Sequence, residues 1–124
     1  LNLPVVIVRR DPKVTEGSSV SINYVSGSNK RIYTMTLARR ALKAQSNVLI
    51  VDDFMRAGGT IRGMMDLLQE FDASVQGVGV LVEAGVDEEE LLVEDYVSLA
   101  RLVRVDPKSR EIRMVPGNYF EEEM

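Results

Sequence analysis

The chain has 124 residues, 45% hydrophobic and 27% charged, with a net charge of −4; that is enough for one domain with a core, too little for two, and far from the composition of disordered chains. It contains no His and no Cys, which excludes imidazole and thiolate metal sites, Ser-His-Asp and Cys-His nucleophiles and any disulfide framework, leaving carboxylates, hydroxyls, amides, Lys and Arg. Its apolar runs fall far short of the roughly 20 residues that cross a bilayer, and the lack of Cys fits a reducing, cytoplasmic compartment.

Along the chain, Pro4-Val5-Val6-Ile7-Val8 is a continuous apolar run stopped by Arg9-Arg10-Asp11-Pro12, the pattern of an interior parallel strand buried on both faces. It starts at Leu1, not Met, which suggests a piece of a longer protein. Residues 20–25 and 30–37 alternate apolar with polar around the connector Ser26-Gly27-Ser28-Asn29, which predicts a hairpin with one exposed face, a mobile flap. Val48-Leu49-Ile50-Val51 reads as a second buried parallel strand ending in Asp52-Asp53.

From Gly58 the period changes. Ile61, Met64, Met65, Leu68 and Phe71 fall on one face of a helix, and residues 74–82 supply a third apolar strand. Strand, helix and strand make a βαβ unit, so the fold class is α/β. Residues 83–95 hold Glu83, Asp87, Glu88, Glu89, Glu90, Glu94 and Asp95, an acidic run expected to be a solvated loop or short helix without function. Residues 102–105 and 111–115 flank the turn Asp106-Pro107-Lys108-Ser109 and read as a closing hairpin. No linker or repeat divides residues 1–124.

Charge is unevenly placed. Residues 1–47 hold eight Lys or Arg against Asp11 and Glu16, a balance of +6 that leaves −10 for the remainder. Such asymmetry suggests an anion-facing side and a solvating side. The basic residues are interrupted by Ser, Thr and Gly rather than lined along one helix, so they fit a polyphosphate better than duplex DNA.

The chemistry concentrates in Val48-Leu49-Ile50-Val51-Asp52-Asp53-Phe54-Met55-Arg56-Ala57-Gly58-Gly59-Thr60. Ligands of open α/β sheets sit beyond the carboxyl ends of the strands, and free N–H groups at a helix N-terminus attract anions. Gly58 and Gly59 permit positive φ and close approach to a phosphate, and Thr60 adds a hydroxyl. Asp52 and Asp53 cannot join that cradle, because carboxylates repel phosphate; they need hydroxyl donors or a divalent cation. A sugar with vicinal hydroxyls and a 5-phosphate satisfies both demands. The plain alternative is a helix N-terminus with acids near its positive end. A P-loop NTPase is excluded, since no G-x-x-x-x-G-K-[ST] occurs. A receiver domain would need its acidic strand earlier and a later phospho-accepting Asp, and would leave Gly58-Gly59-Thr60 unexplained.

Four apolar residues, two acids, four variable residues and Gly-Gly-Thr resemble the phosphoribosyl pyrophosphate (PRPP) motif of the type I phosphoribosyltransferases. The resemblance implies that fold: a mainly parallel sheet flanked by helices, with a β-hairpin flap. It implies that Asp52 and Asp53 hold the ribose 2- and 3-hydroxyls and that Ala57 to Thr60 bind the 5-phosphate, with the backbone of Phe54 and Met55 running past the ribose. Two positions depart from the enzymes: Ala57 stands where Thr is common, and Arg56 where the 6-oxopurine enzymes place an Asp general base, a role no cation can fill.

The segment from Phe54 to Thr60, with the Ser21-to-Ser28 flap around Tyr24, is most similar to the purine operon repressors of Gram-positive bacteria. Membership there implies a PRPP-binding, non-catalytic effector domain, PRPP with or without Mg²⁺ as effector rather than cofactor, and a homodimer. It also implies operator DNA bound by a winged-helix domain upstream of residue 1, and PRPP weakening that binding. Arg9, Arg10, Lys13 and Arg56 are then candidate partners for the pyrophosphate or for a competing guanosine polyphosphate, or solvated side chains. Tyr24 would stack on a base or pack in the flap. The other reading is a purine phosphoribosyltransferase of the adenine or xanthine type.

Overall fold

A computed structural model describes residues 2–10, 18–26, 31–85 and 90–121. In chain order the elements are β1 (Arg9–Arg10), β2 (Ser19–Val25), β3 (Ile32–Ala38), β4 (Asn47–Met55), α1 (Gly59–Gln69), β5 (Ser74–Ala84), β6 (Val97–Val105) and β7 (Ile112–Pro116). Two sheets result. One is antiparallel with order β1-β3-β2, the other has order β4-β5-β6-β7. In the second, β4 and β6 run parallel to β5, and β7 returns antiparallel to β6. The α/β class and the β4-α1-β5 unit expected from sequence are both present.

The helix is the middle layer, and its sequence explains why. An amphipathic helix on one sheet needs a single apolar stripe, whereas α1 has two. Ile61 and Leu68 join Ile50, Val78 and Val80 in a core with the four-stranded sheet. Leu67, fully buried, and Phe71, just beyond the helix, meet Tyr24, Met35 and Leu37 of the hairpin. Truncating Leu67 to Ala would cost about 2–5 kcal/mol, as for other buried leucines. Gly63 lets the hairpin approach: a Cβ there would stand 2.7 Å from Tyr24 Cβ.

The hairpin is formed as expected, with Tyr24 opposite Tyr33 and Val25 opposite Ile32. It lies on α1 as a packed layer rather than projecting as a flap. Its connector at 27–30, like Lys13 and the acids Asp87, Glu88 and Glu89, falls outside the described residues.

Three expectations are corrected. The run Val5 to Val8 is not an interior strand: Val5 is 85% and Ile7 71% exposed, and pairing starts only at β1, antiparallel to β3. An apolar run marks burial only where a ladder and a second layer receive it. The strand at Val48 to Val51 is buried on one face alone. Leu49 and Val51 are 63% and 67% exposed because β4 is a sheet edge and α1 covers only its other face. The acidic run does not begin in a loop either, since Glu83 lies within β5 and is buried.

Candidate functional site

β4 continues past the acids to Met55, so Asp52 and Asp53 lie within the strand rather than after it. Ile50 and Met55 share one core cluster. Five residues apart, they would face opposite ways in a regular strand, so the alternation slips by one position between them. The slip falls after the acids, where Phe54 is exposed and Met55 buried. Asp52 is half-buried and Asp53 exposed, and the Asp53 N–H donates to Asp52 Oδ1 at 2.9 Å. Burial pushes the Asp52 carboxyl above the ordinary aspartate range and the adjacent Asp53 charge adds to it, while that N–H works against them. Two carboxylates side by side, one poorly solvated, ask for hydroxyl donors or a cation.

Met55 is core and Phe54 is exposed. Arg56 is exposed. Ala57 has φ 60° and Gly58 φ 88°, so the two left-handed residues are Ala57 and Gly58, not the two glycines. Gly59 is instead the first, buried residue of α1, and Thr60 the half-buried second. Ala57 is held there from outside, since the Leu92 N–H donates to its carbonyl at 2.7 Å. No side chain caps α1 and its first turn carries no acid, so the free N–H groups of the turn have no side-chain acceptor and attract an anion.

The other two candidates belong to the three-stranded sheet. Tyr24 is buried, its ring 6.0 Å from that of Tyr33, so it packs rather than offering a stacking face. The Arg10 guanidinium sits 3.4 Å over the Tyr33 ring. Arg9 is exposed.

Glu83, expected in the solvated acidic run, is instead a structural residue. It is the last but one residue of β5, opposite Met55 in register, and is only 4% exposed. Tyr96 OH (3.1 Å) and Arg101 Nε (2.9 Å) donate to Oε1, and the Ser98 hydroxyl donates to Oε2. Burial first, then the Glu83 charge, raises the Tyr96 phenol, and the hydrogen bond to Glu83 raises Arg101. Asn118 extends the network, taking the Ser98 N–H (2.7 Å) and donating to the Tyr96 carbonyl (2.8 Å). The signal for a buried role was its place, directly after the apolar run of β5. Leu92 and Val93 were also missed; the apolar triplet Leu91-Leu92-Val93 inside an acidic run was their signal.

Residues 1–107 match the phosphoribosyl transferase domain model. The chain belongs to that family. Over 97% of its length it is 62% identical to a purine biosynthesis transcriptional repressor of Bacillus subtilis (strain 168) and 50% identical to a purine biosynthesis transcriptional activator of Lactococcus lactis subsp. lactis (strain IL1403). It spans 42% and 44% of the length of those two proteins. Among solved structures it is similar to the adenine phosphoribosyltransferase of Thermoanaerobacter pseudethanolicus, at 26% identity and a TM-score of 0.66, with 77% of this chain and 55% of that one covered. The fold class and the family resemblance read from the sequence agree with these likenesses. Among the described residues no helix is long and apolar enough to cross a membrane, and no three acidic side chains form a metal cluster.

Proposed function

We propose that this chain is the PRPP-binding part of a transcriptional regulator of purine biosynthesis genes, and that it senses PRPP without transferring its ribosyl group. The observation carrying this reading is the juxtaposition at the end of β4: under-compensated carboxylates at Asp52 and Asp53 lead straight into an uncapped helix N-terminus behind Ala57 and Gly58. The acids receive the ribose hydroxyls, and the backbone from Ala57 to Thr60 receives the 5-phosphate. Phe54 and Met55 contribute backbone past the sugar, and Arg56 is free to meet the pyrophosphate. An acidic pair also tolerates Mg²⁺ on the ligand, while the described residues provide no third carboxylate for a metal held by the protein alone.

Regulation rather than catalysis is supported by Arg56, a cation where a general base would be needed in a 6-oxopurine enzyme, and by 62% identity to a repressor. PRPP binding relieves operator binding made by another part of the longer, homodimeric protein, and a guanosine polyphosphate competes for the same loop. The likeness to adenine phosphoribosyltransferase favours a second reading, a purine phosphoribosyltransferase.

The test is calorimetric titration of PRPP with Mg²⁺ into the full-length protein, with operator-binding anisotropy and an assay of pyrophosphate release with each purine base. Saturable binding that weakens DNA binding, without turnover, supports the sensor. Base-dependent pyrophosphate release would make the protein an enzyme, and PRPP strengthening DNA binding would reverse the sign of the response.

A further inference from the structure

The loop's unusual backbone is held by a segment that the motif does not contain. Leu92 donates its N–H to the Ala57 carbonyl at 2.7 Å. The Val93 side chain, 3% exposed, fills the space beside Gly58, where an added Cβ would stand 2.7 Å from Val93 Cγ2. Val93 belongs to the same core cluster as Met55 and Ile61, one residue group on each side of the loop. One strap therefore fixes a carbonyl and a van der Waals surface of the two left-handed residues.

The strap's other end is fixed as well. Tyr96 reaches Glu83 through its hydroxyl (3.1 Å) and Asn118 through its carbonyl (2.8 Å). Asn118 also exchanges two hydrogen bonds with Ser98, its Oδ1 taking the Ser98 N–H at 2.7 Å and its own N–H donating to Ser98 Oγ at 3.1 Å. Three residues reach at most about 10 Å when fully extended, so little slack separates the two anchors. A change at the Glu83 network must pull on Val93 and the loop.

We infer that Leu92 and Val93 are positioning residues for the sugar-phosphate loop, and that the strap from Leu91 to Tyr96 ties the loop's shape to the Glu83–Ser98–Asn118 network at the start of β6. The ligand part of this inference rests on the PRPP reading above; the mechanical part does not. The strap makes no contact with the ligand in this scheme. It keeps the Ala57–Gly58 pair left-handed, so that the N–H groups of α1 stay aimed outward before ligand arrives.

The experiment uses the full-length protein and its Val93→Ala, Val93→Thr and Tyr96→Phe variants. Hydrogen exchange without ligand is read by mass spectrometry on peptides covering 55–62, and PRPP affinity by calorimetry. Val93→Ala removes the surface against Gly58 and is expected to weaken PRPP binding about tenfold. Val93→Thr keeps the shape while losing apolarity, so affinity is expected within about twofold of wild type although its melting temperature falls. Tyr96→Phe keeps the ring in its core contact and removes only the hydroxyl that reaches Glu83, and is expected to speed exchange at 55–62. Unchanged exchange there in both Val93→Ala and Tyr96→Phe overturns the strap; faster exchange with unchanged affinity overturns its role in binding. If Val93→Ala does not fold, Tyr96→Phe decides. Should the wild type not bind PRPP, the proposed function fails while the exchange data still judge the strap.

Discussion

Two carboxylates lie on neighbouring strands near the same end of the sheet, and their surroundings differ in kind. Glu83 on β5 is buried and saturated, with a phenol, a hydroxyl and a guanidinium on its two oxygens. Asp52 on β4 is half-buried, with a backbone N–H for a partner and another acid beside it. A charge that folding has fully answered holds structure together; a charge that folding has left unanswered is kept for something that arrives later. The same element, an acid following an apolar strand, thus serves stability in one place and, in the proposed function, binding in the other.

The comparison breaks most visibly at Glu83. Replacing it with Ala leaves Arg101, Tyr96 and the buried Ser98 without their acceptor, and the expected loss is about 3 kcal/mol, read as a lower urea midpoint with an unchanged slope. Asp52→Ala should do the opposite: PRPP binding falls by about 10- to 100-fold in calorimetry, equivalent to about 1.4–2.8 kcal/mol, while the urea midpoint does not fall. If Asp52→Ala unfolds the protein as Glu83→Ala does, the distinction between the two acids is wrong.

Gly58→Ala probes the loop between them. At φ 88° with Val93 in the way, the added Cβ should cost about 1–3 kcal/mol in stability and weaken PRPP binding as well. The smallest effect is the most diagnostic. Asp52→Asn removes a charge whose ionisation the fold disfavours, so the ligand-free protein should gain a few tenths of a kcal/mol, about 1–2 °C in melting temperature, as it loses ligand affinity.

Acidity sharpens the same point. The folded protein binds the Asp52 proton more tightly than the unfolded chain does, since burial raises its pKa. Its contribution to stability is therefore fully present below the ordinary aspartate range and is lost as pH rises through the raised value. Ligand affinity runs the other way and falls as pH drops through that value. Between about pH 4 and pH 7 the difference between wild type and Asp52→Asn, in thermal melts and in calorimetry, should carry these opposed trends.

Much of this was legible beforehand. The change of period at Gly58 located α1, the alternation in residues 20–25 and 30–37 located the hairpin, and the string from Val48 to Thr60 located the strand-to-helix turn on which the proposed site rests. What stayed hidden depends on neighbours far away in the chain. Val5 to Val8 and Val51 carry the same kind of apolar residues as Val78 and Val80, yet only the latter have both a ladder and a covering helix. Ala57 takes positive φ because Leu92, 35 residues later, holds its carbonyl; no local propensity announces that. Glu83 is one acid among many until Ser98 and Arg101 of β6, with Tyr96 just before it, are brought across. Tyr24 looked available as an aromatic in a flap and is buried because Gly63 lets the helix come close.

The central place of α1 also governs how the molecule comes apart. Leu42, Met64 and Ala73 pack against both clusters at once, so the two cores have no seam between them. Loosening the hairpin uncovers Leu67 and Phe71, and with them the helix that follows the Ala57–Gly58 loop. Melting is therefore expected as a single cooperative transition, and a lesion at Tyr24 should lower amide protection in β4 and β5 as much as in its own strand.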